Sequence, residues 1–299
     1  MRRLFTLLIA SCFLSAACQD KAVTQNASAN ANQPDTKAIS MTQDEVTIKI
    51  GEHGEQWLKR YPGRGKSHQP APGATVYSVD WDVRPRGNVK VDHGSHSIPI
   101  PFALGVSSMQ VVEQAGEGAY EFSVYAGITD PDLIAHEEAR DKLYAILKAI
   151  EQKGWKSLIS EDDPRITGKD RLNYVLTVTN TIGLDTQYIP TLEEWMKIRN
   201  LTSWSFYADR QYLSVDFQRE RTLLDPSKSG SYLLTYTLKS EVENYRGYVG
   251  PDNRARWKEL LPTALLDLKQ RRAKAEAALK AQGIKIDESY QDPPLPNLK

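Results

Sequence analysis

Residues Leu4 to Leu14 form an apolar run interrupted by Thr6, Ser11 and Cys12. Met1-Arg2-Arg3 stand before it and Ser15-Ala16-Ala17-Cys18 behind it. A helix that spans a bilayer needs about 20 apolar residues, and this run is too short. A basic start, an apolar middle and small residues at the end make a secretory signal. Residues 1–17 are therefore expected to be removed. The fold must then be built from residue 18 onward in an exported compartment.

Leu14-Ser15-Ala16-Ala17-Cys18 resembles the lipobox of bacterial lipoprotein signals, with Ser15 in place of the more usual Leu. The resemblance implies that the Cys18 thiol receives a diacylglycerol and that Cys18 becomes the new N-terminus. An ordinary cleaved signal with a chance cysteine is the competing reading. Residue 19 is Gln, not Asp. In that family this implies a periplasmic protein lipid-anchored to the inner leaflet of the outer membrane. Several acyl chains hold far better than one, since each buried CH₂ contributes about 0.8 kcal/mol. The only two cysteines are Cys12 and Cys18. Acylation of the second leaves no disulfide and no thiol chemistry for the body.

Residues 18–40 are mostly Gln, Asn, Ala, Ser, Thr and Asp, and cannot bury enough apolar surface to offset their ordering entropy. They read as a flexible tether. The remaining chain suffices for one large domain or two small ones. Basic and acidic side chains number 38 each, so nothing points to nucleic acid. The 14 Tyr and 6 Trp outweigh 6 Phe, a balance that suits half-wet surfaces and interfaces.

Along the body, residues 45–50 and 75–83 alternate with period two and read as strands. Gly51 to Gly73 between them reads as a long loop. Asn88 to Asp92 is expected to return from a turn at Pro85-Arg86-Gly87 as the hairpin partner of 75–83. Pro99 and Pro101 argue against a central strand. Residues 119–127 read as a strand. A helix capped by Thr129 or Asp130 then carries Leu143, Ile146, Leu147 and Ile150 to Gly154. Residues 155–160 read as a short strand, and the type of 174–178 stays open.

Thr191-Leu192-Glu193-Glu194 is a capping box that opens a short helix to about Asn200. Trp204–Tyr207 and Tyr212–Phe217 form a hairpin, and Tyr232–Leu238 joins the same sheet. A last helix starts near Asp252 with a stripe from Trp257 to Leu268, and Pro262 is expected to kink it. Beyond Leu268 it should face solvent. Trp155, Trp195, Trp204 and Trp257 are assigned to the core. The whole reads as an α+β fold, an antiparallel sheet with helices packed on one face. It divides softly into a β-rich lobe over 41–118 and an α+β domain over 119–299. Whether 41–118 stands apart or extends the same sheet is left open.

No chemistry stands out. Gly63-Arg64-Gly65-Lys66-Ser67 ends like a phosphate loop, but Arg60 occupies the place of its first glycine and prolines follow where a helix should. His93 and His96 on a Gly-Ser turn make a poor metal pair. His136-Glu137-Glu138 lacks the second His, since residue 140 is Arg, and reads as a solvated helix face. Ser107-Ser108 lacks the glycine frame of a nucleophile elbow. Glu161-Asp162-Asp163 reads as a solvated or partner-facing patch. Neither an enzyme, a metal nor a cofactor is expected.

Six segments carry a further resemblance. They are Gly154-Trp155-Lys156, Asp163 to Gly168, Thr191 to Trp195, Trp204 to Asp209, Tyr212 to Phe217, and Arg254 to Leu261. Together they resemble lipoproteins encoded beside type VI secretion effectors, especially phospholipase effectors. The resemblance implies an immunity protein that binds and neutralises an incoming lipase toxin. The contact surface is then expected on exposed loops, with Asp163, Arg165, Tyr207, Arg210, Tyr212, Arg219 and Arg221 as candidate anchors. A structural or assembly lipoprotein of the cell envelope is the alternative. A solute-binding lipoprotein would need two lobes of alternating strand and helix.

Overall fold

The computed structural model describes residues 45–82, 84–178 and 183–298. The expected signal at 1–17, the expected lipidation site Cys18 and the expected tether at 18–40 lie outside the described residues. Among the described residues no helix is long and apolar enough to cross a membrane.

The chain is α+β, built on a ten-stranded, mostly antiparallel sheet. Strand β1 (Glu45–Ile48) leads to helix α1 (Gly54–Lys59) and the hairpin β2 (Gly65–Ala71) and β3 (Ala74–Asp80). The expected 51–73 loop is thus a helix and a strand. Trp57 explains the helix, being buried edge-on against Phe122 at 5.4 Å. Strand β2 escaped notice because it is exposed along almost its whole length and shows no alternation.

Strands β4 (Gly87–Val91) and β5 (Ile98–Val111) follow. β3 and β4 do not pair with each other, contrary to expectation. Both lie against one edge of β5, with β4 along 98–103 and β3 along 105–111. β1 joins β4 in parallel. Pro99 and Pro101 thus sit inside a 14-residue strand. Alternate residues of a strand aim their N–H groups at the same edge. The other edge of β5 is paired only over 103–108, so prolines two apart are accommodated. Phe102, at φ +59°, is skipped in the β4 register and forms a bulge between the two halves.

Strand β6 (Glu121–Gly127) pairs with β5, so the sheet crosses residue 118 without a break and 45–118 extends it. A two-residue strand β7 (Ile134–Ala135) precedes helix α2 (His136–Gln152). The helix starts later than the expected cap at Thr129 or Asp130. Arg86 holds the Thr129 carbonyl and Asp132, and Arg84 holds Asp130, so these groups are committed to a loop. Strand β8 (Lys156–Ser157) follows, then helix α3 (Gly168–Thr177), which makes the open segment helical over 174–177, with Val178 as its extended C-cap.

Helix α4 (Leu192–Lys197) carries the capping box as read, with Glu194 N–H donating to Thr191 Oγ1 at 3.2 Å. The hairpin β9 (Ser203–Ala208) and β10 (Gln211–Arg219) is as read. Short β11 (Ser229–Gly230) pairs with β7. Strand β12 (Tyr232–Ser240) inserts between β6 and β10. The chain closes with helix α5 (Glu241–Gly247), a 3₁₀ turn over 251–256 and helix α6 (Trp257–Ala281), continuous through Pro262.

One face of the sheet carries a row of buried, directly paired side chains: Val79, Val106, Val124, Tyr236, Val215 and Trp204. Trp57 of α1 and Trp195 of α4, the latter stacked on Phe217 at 4.9 Å, pack on this face with α2. Helices α5 and α6 bring Tyr245, Trp257, Leu261 and Leu265 to Tyr212, which points to the other face. The second half of α6 is not solvent-facing. Arg272, Glu276 and Leu279 are buried against residues 160–166 and the C-terminal segment. The helix ends at Gly283, φ +81°, where Ile284 N–H reaches the Leu279 carbonyl and Gly283 N–H the Lys280 carbonyl.

Candidate functional site

The candidate anchors do not form one surface. Arg219, 5 % exposed, donates to the Trp195 and Met196 carbonyls at 2.9 and 3.3 Å and to Tyr232 Oη at 3.2 Å. Its guanidinium lies within 5.3–5.6 Å of the Trp195, Phe217 and Tyr232 ring centres. It therefore satisfies the last carbonyls of α4 from inside the core. Tyr212 is buried under α5. Asp163 is also buried. Its carboxylate accepts from Arg171 at 2.9 Å, and its carbonyl from Arg272 at 3.0 Å.

Arg165 is half-buried and committed to Glu276 by two parallel bonds of 2.8 Å. Tyr207 is half-buried. Only Arg210 and Arg221 of the seven are fully exposed, and Arg210 is held by Glu241 at 2.6 Å. Arg210 precedes β10 and Arg219 ends it, so they lie about 30 Å apart at the rise of an antiparallel strand.

Three motifs also move. His136 is no solvated face. It is 1 % exposed, and its Nδ1 pairs with Tyr232 Oη at 2.5 Å. Burial, with the nearby Arg219 charge, lowers its pKa. Strand β11 lets it fit, since a Cβ on Gly230 would lie 2.3 Å from the imidazole. Glu161 is buried beside Asp292 and Arg272, and burial, then the Asp292 charge, pushes its carboxyl up to about 7. His93 and His96 each meet a backbone carbonyl, of Ala208 at 3.0 Å and Lys153 at 2.7 Å.

What the strands do expose is the face opposite Tyr236. Ser78, Ser107, Ser123, Thr237, Ser214 and Ser205 are direct neighbours across six strands. At about 4.8 Å per strand this row of hydroxyls spans about 24 Å. Beside it runs a second row: Asp80, Gly105, Tyr125, Thr235, Asp216 and Ser203. Tyr125, 42 % exposed, stands above the hydroxyls, and Met109 is exposed on the same face. Asp216 is its acid toward the β9 end, and burial raises its carboxyl to about 6 against the opposing pull of Ser214 and Lys239. At the β9 end, Arg271 and Ala275 of α6 wall a cleft of about 430 Å³ that Ser203 and Ser205 line.

Each hydroxyl can both donate and accept, so the face offers dense, adaptable hydrogen bonding on a stiff support. The signal lay in the alternation itself. In Ser203–Ala208 the buried positions alternate with Ser203, Ser205 and Tyr207, and in Tyr232–Ser240 with Leu233, Thr235, Thr237 and Lys239. No family model, no curated protein and no solved structure matches this chain.

Proposed function

We propose that this chain is a lipid-anchored periplasmic immunity protein that binds and neutralises a lipase or phospholipase toxin of type VI secretion. We place the contact on the hydroxyl-lined sheet face. That face is the observation that carries the reading. Ser, Thr, Gly and a rigid Tyr are the residue types that binding loops use for adaptable contacts around an aromatic anchor. Tyr125 and Met109 are of the types enriched at interface centres. The resemblance of the six segments supplies the class of partner, and Cys18 the anchor. A membrane tether would hold the inhibitor where a toxin arrives and raise the encounter probability. The alternative is a structural or assembly lipoprotein of the envelope, for which the same face would be a docking surface.

The test is co-purification of the chain, anchored through Cys18, with the products of neighbouring genes. The expected result is stoichiometric capture of a lipase whose activity is lost on binding. Thr237→Arg, placed mid-face, should weaken that capture at least about tenfold while the thermal midpoint stays put, since a half-exposed hydroxyl outside the core contributes little to the fold. Capture of envelope components alone would favour the alternative. Inhibition unaffected by Thr237→Arg would move the contact off this face.

A further inference from the structure

On the other side of the sheet lies a cavity of about 420 Å³. It occurs where the first half of β5 has no strand on its β6 side. Pro99 and Pro101 form one wall, and Ala145, Ala149 and Ile150 of α2 the other. The two alanines leave the helix flank short of side-chain volume just where the sheet is also open. Interiors are otherwise packed to crystal density, and a space of this size falls in the range of small-molecule sites.

Two polar side chains, Tyr236 and Lys153, stand in its otherwise mostly apolar lining. Tyr236 lines the cavity and is 3 % exposed as a residue, and its hydroxyl, bonded to none of the described residues, keeps contact with the cavity's open space. A phenol hydroxyl on a mostly apolar wall is a ready donor for a ligand that enters. Burial raises the phenol's pKa, so it is a neutral donor at physiological pH. At the mouth stands Lys153, exposed and without an ion pair to any described residue. Its carbonyl is fixed by His96, which holds this end of α2 in place.

We infer that this cavity binds a small amphipathic anion, its apolar body between β5 and α2, an acceptor oxygen on the Tyr236 hydroxyl and its charge toward Lys153. An apolar body returns the dispersion contacts that the alanines forgo. The acceptor gives the Tyr236 hydroxyl a hydrogen bond that no described residue supplies. The site is distinct from the hydroxyl face, being on the opposite side of β12, so the two can fail independently.

The experiment is a fluorescence titration of 1-anilinonaphthalene-8-sulfonate into the full chain carrying Cys18→Ser, which removes competing acyl groups, with decanoate as competitor. One saturable site displaced by decanoate is expected. Tyr236→Phe, which keeps the ring, should weaken it about five- to tenfold, the loss of one hydrogen bond. Lys153→Glu should weaken it further and make it more salt-sensitive. Ala149→Trp, on the exposed flank of α2, should abolish it with the circular dichroism unchanged. Absence of a saturable site overturns the inference, as does binding that survives Ala149→Trp or is indifferent to Tyr236→Phe.

Discussion

Arg219 shows how a side chain's meaning changes with its place. In the sequence it belongs with Arg221 on a connection between strands, and either could be a surface anchor. The strand alternation puts Arg219 on the Phe217 side, where α4 delivers two carbonyls and the Trp195 ring, and the sheet adds the rings of Phe217 and Tyr232. Arg219→Ala should therefore cost about 3 kcal/mol, because the carbonyls and Tyr232 are left short of a donor in the core. Arg221→Ala should stay within about 0.5 kcal/mol. Urea unfolding of the two variants checks the contrast. Glu161 gives a pH signature of the opposite sign to the usual salt-bridged acid. Its folded pKa, about 7, lies above its ordinary 4.5, so from 4.5 upward the unfolded chain loses its proton first. Its contribution to stability is present below 4.5 and is lost as pH rises through 7. Glu161→Gln should match the parent near pH 4.5 and melt higher at pH 8, as read by thermal scans at both pH values.

At the scale of elements, legibility followed periodicity. The β9–β10 hairpin, β12 and the Thr191 cap were plain because apolar residues recur every second position, or because a capping box has a fixed spacing. β2 was invisible because an exposed edge strand has no buried face to mark. β5 was misjudged because the rule against proline assumes neighbours on both edges, and the missing neighbour is a tertiary fact. α6 failed differently. Its charged second half reads as solvated, but each inward charge has a partner far along the chain: Arg272 with Asp292, Glu276 with Arg165. The same long-range pairing emptied the list of surface anchors, while the hydroxyl face was legible in the alternation and overlooked because small polar residues look unremarkable singly. Arg272 also bonds the Ser160 and Asp163 carbonyls at 2.8 and 3.0 Å, so it pins both the loop and the C-terminal segment. Arg272→Ala should cost about 2–3 kcal/mol. Hydrogen exchange at residues 287–292 should rise well before the sheet's does.

For the whole molecule, the position of β12 between β6 and β10 has a consequence for how the chain is made. β6 ends at residue 127, and the strand that covers its free edge begins only at residue 232. More than a hundred residues must emerge before the two halves of the sheet can meet. A topology dominated by such distant pairings closes slowly, because the loop entropy is lost before the contacts return it. Until then the β6 edge is an unpaired template for another chain. A chain ending at residue 230 should accordingly collect in the insoluble fraction, whereas one ending at 298 stays soluble. On the proposed reading of an exported chain, a sheet completed last would depend on a holdase in the receiving compartment, and the yield should track that holdase's level more steeply than it tracks equilibrium stability.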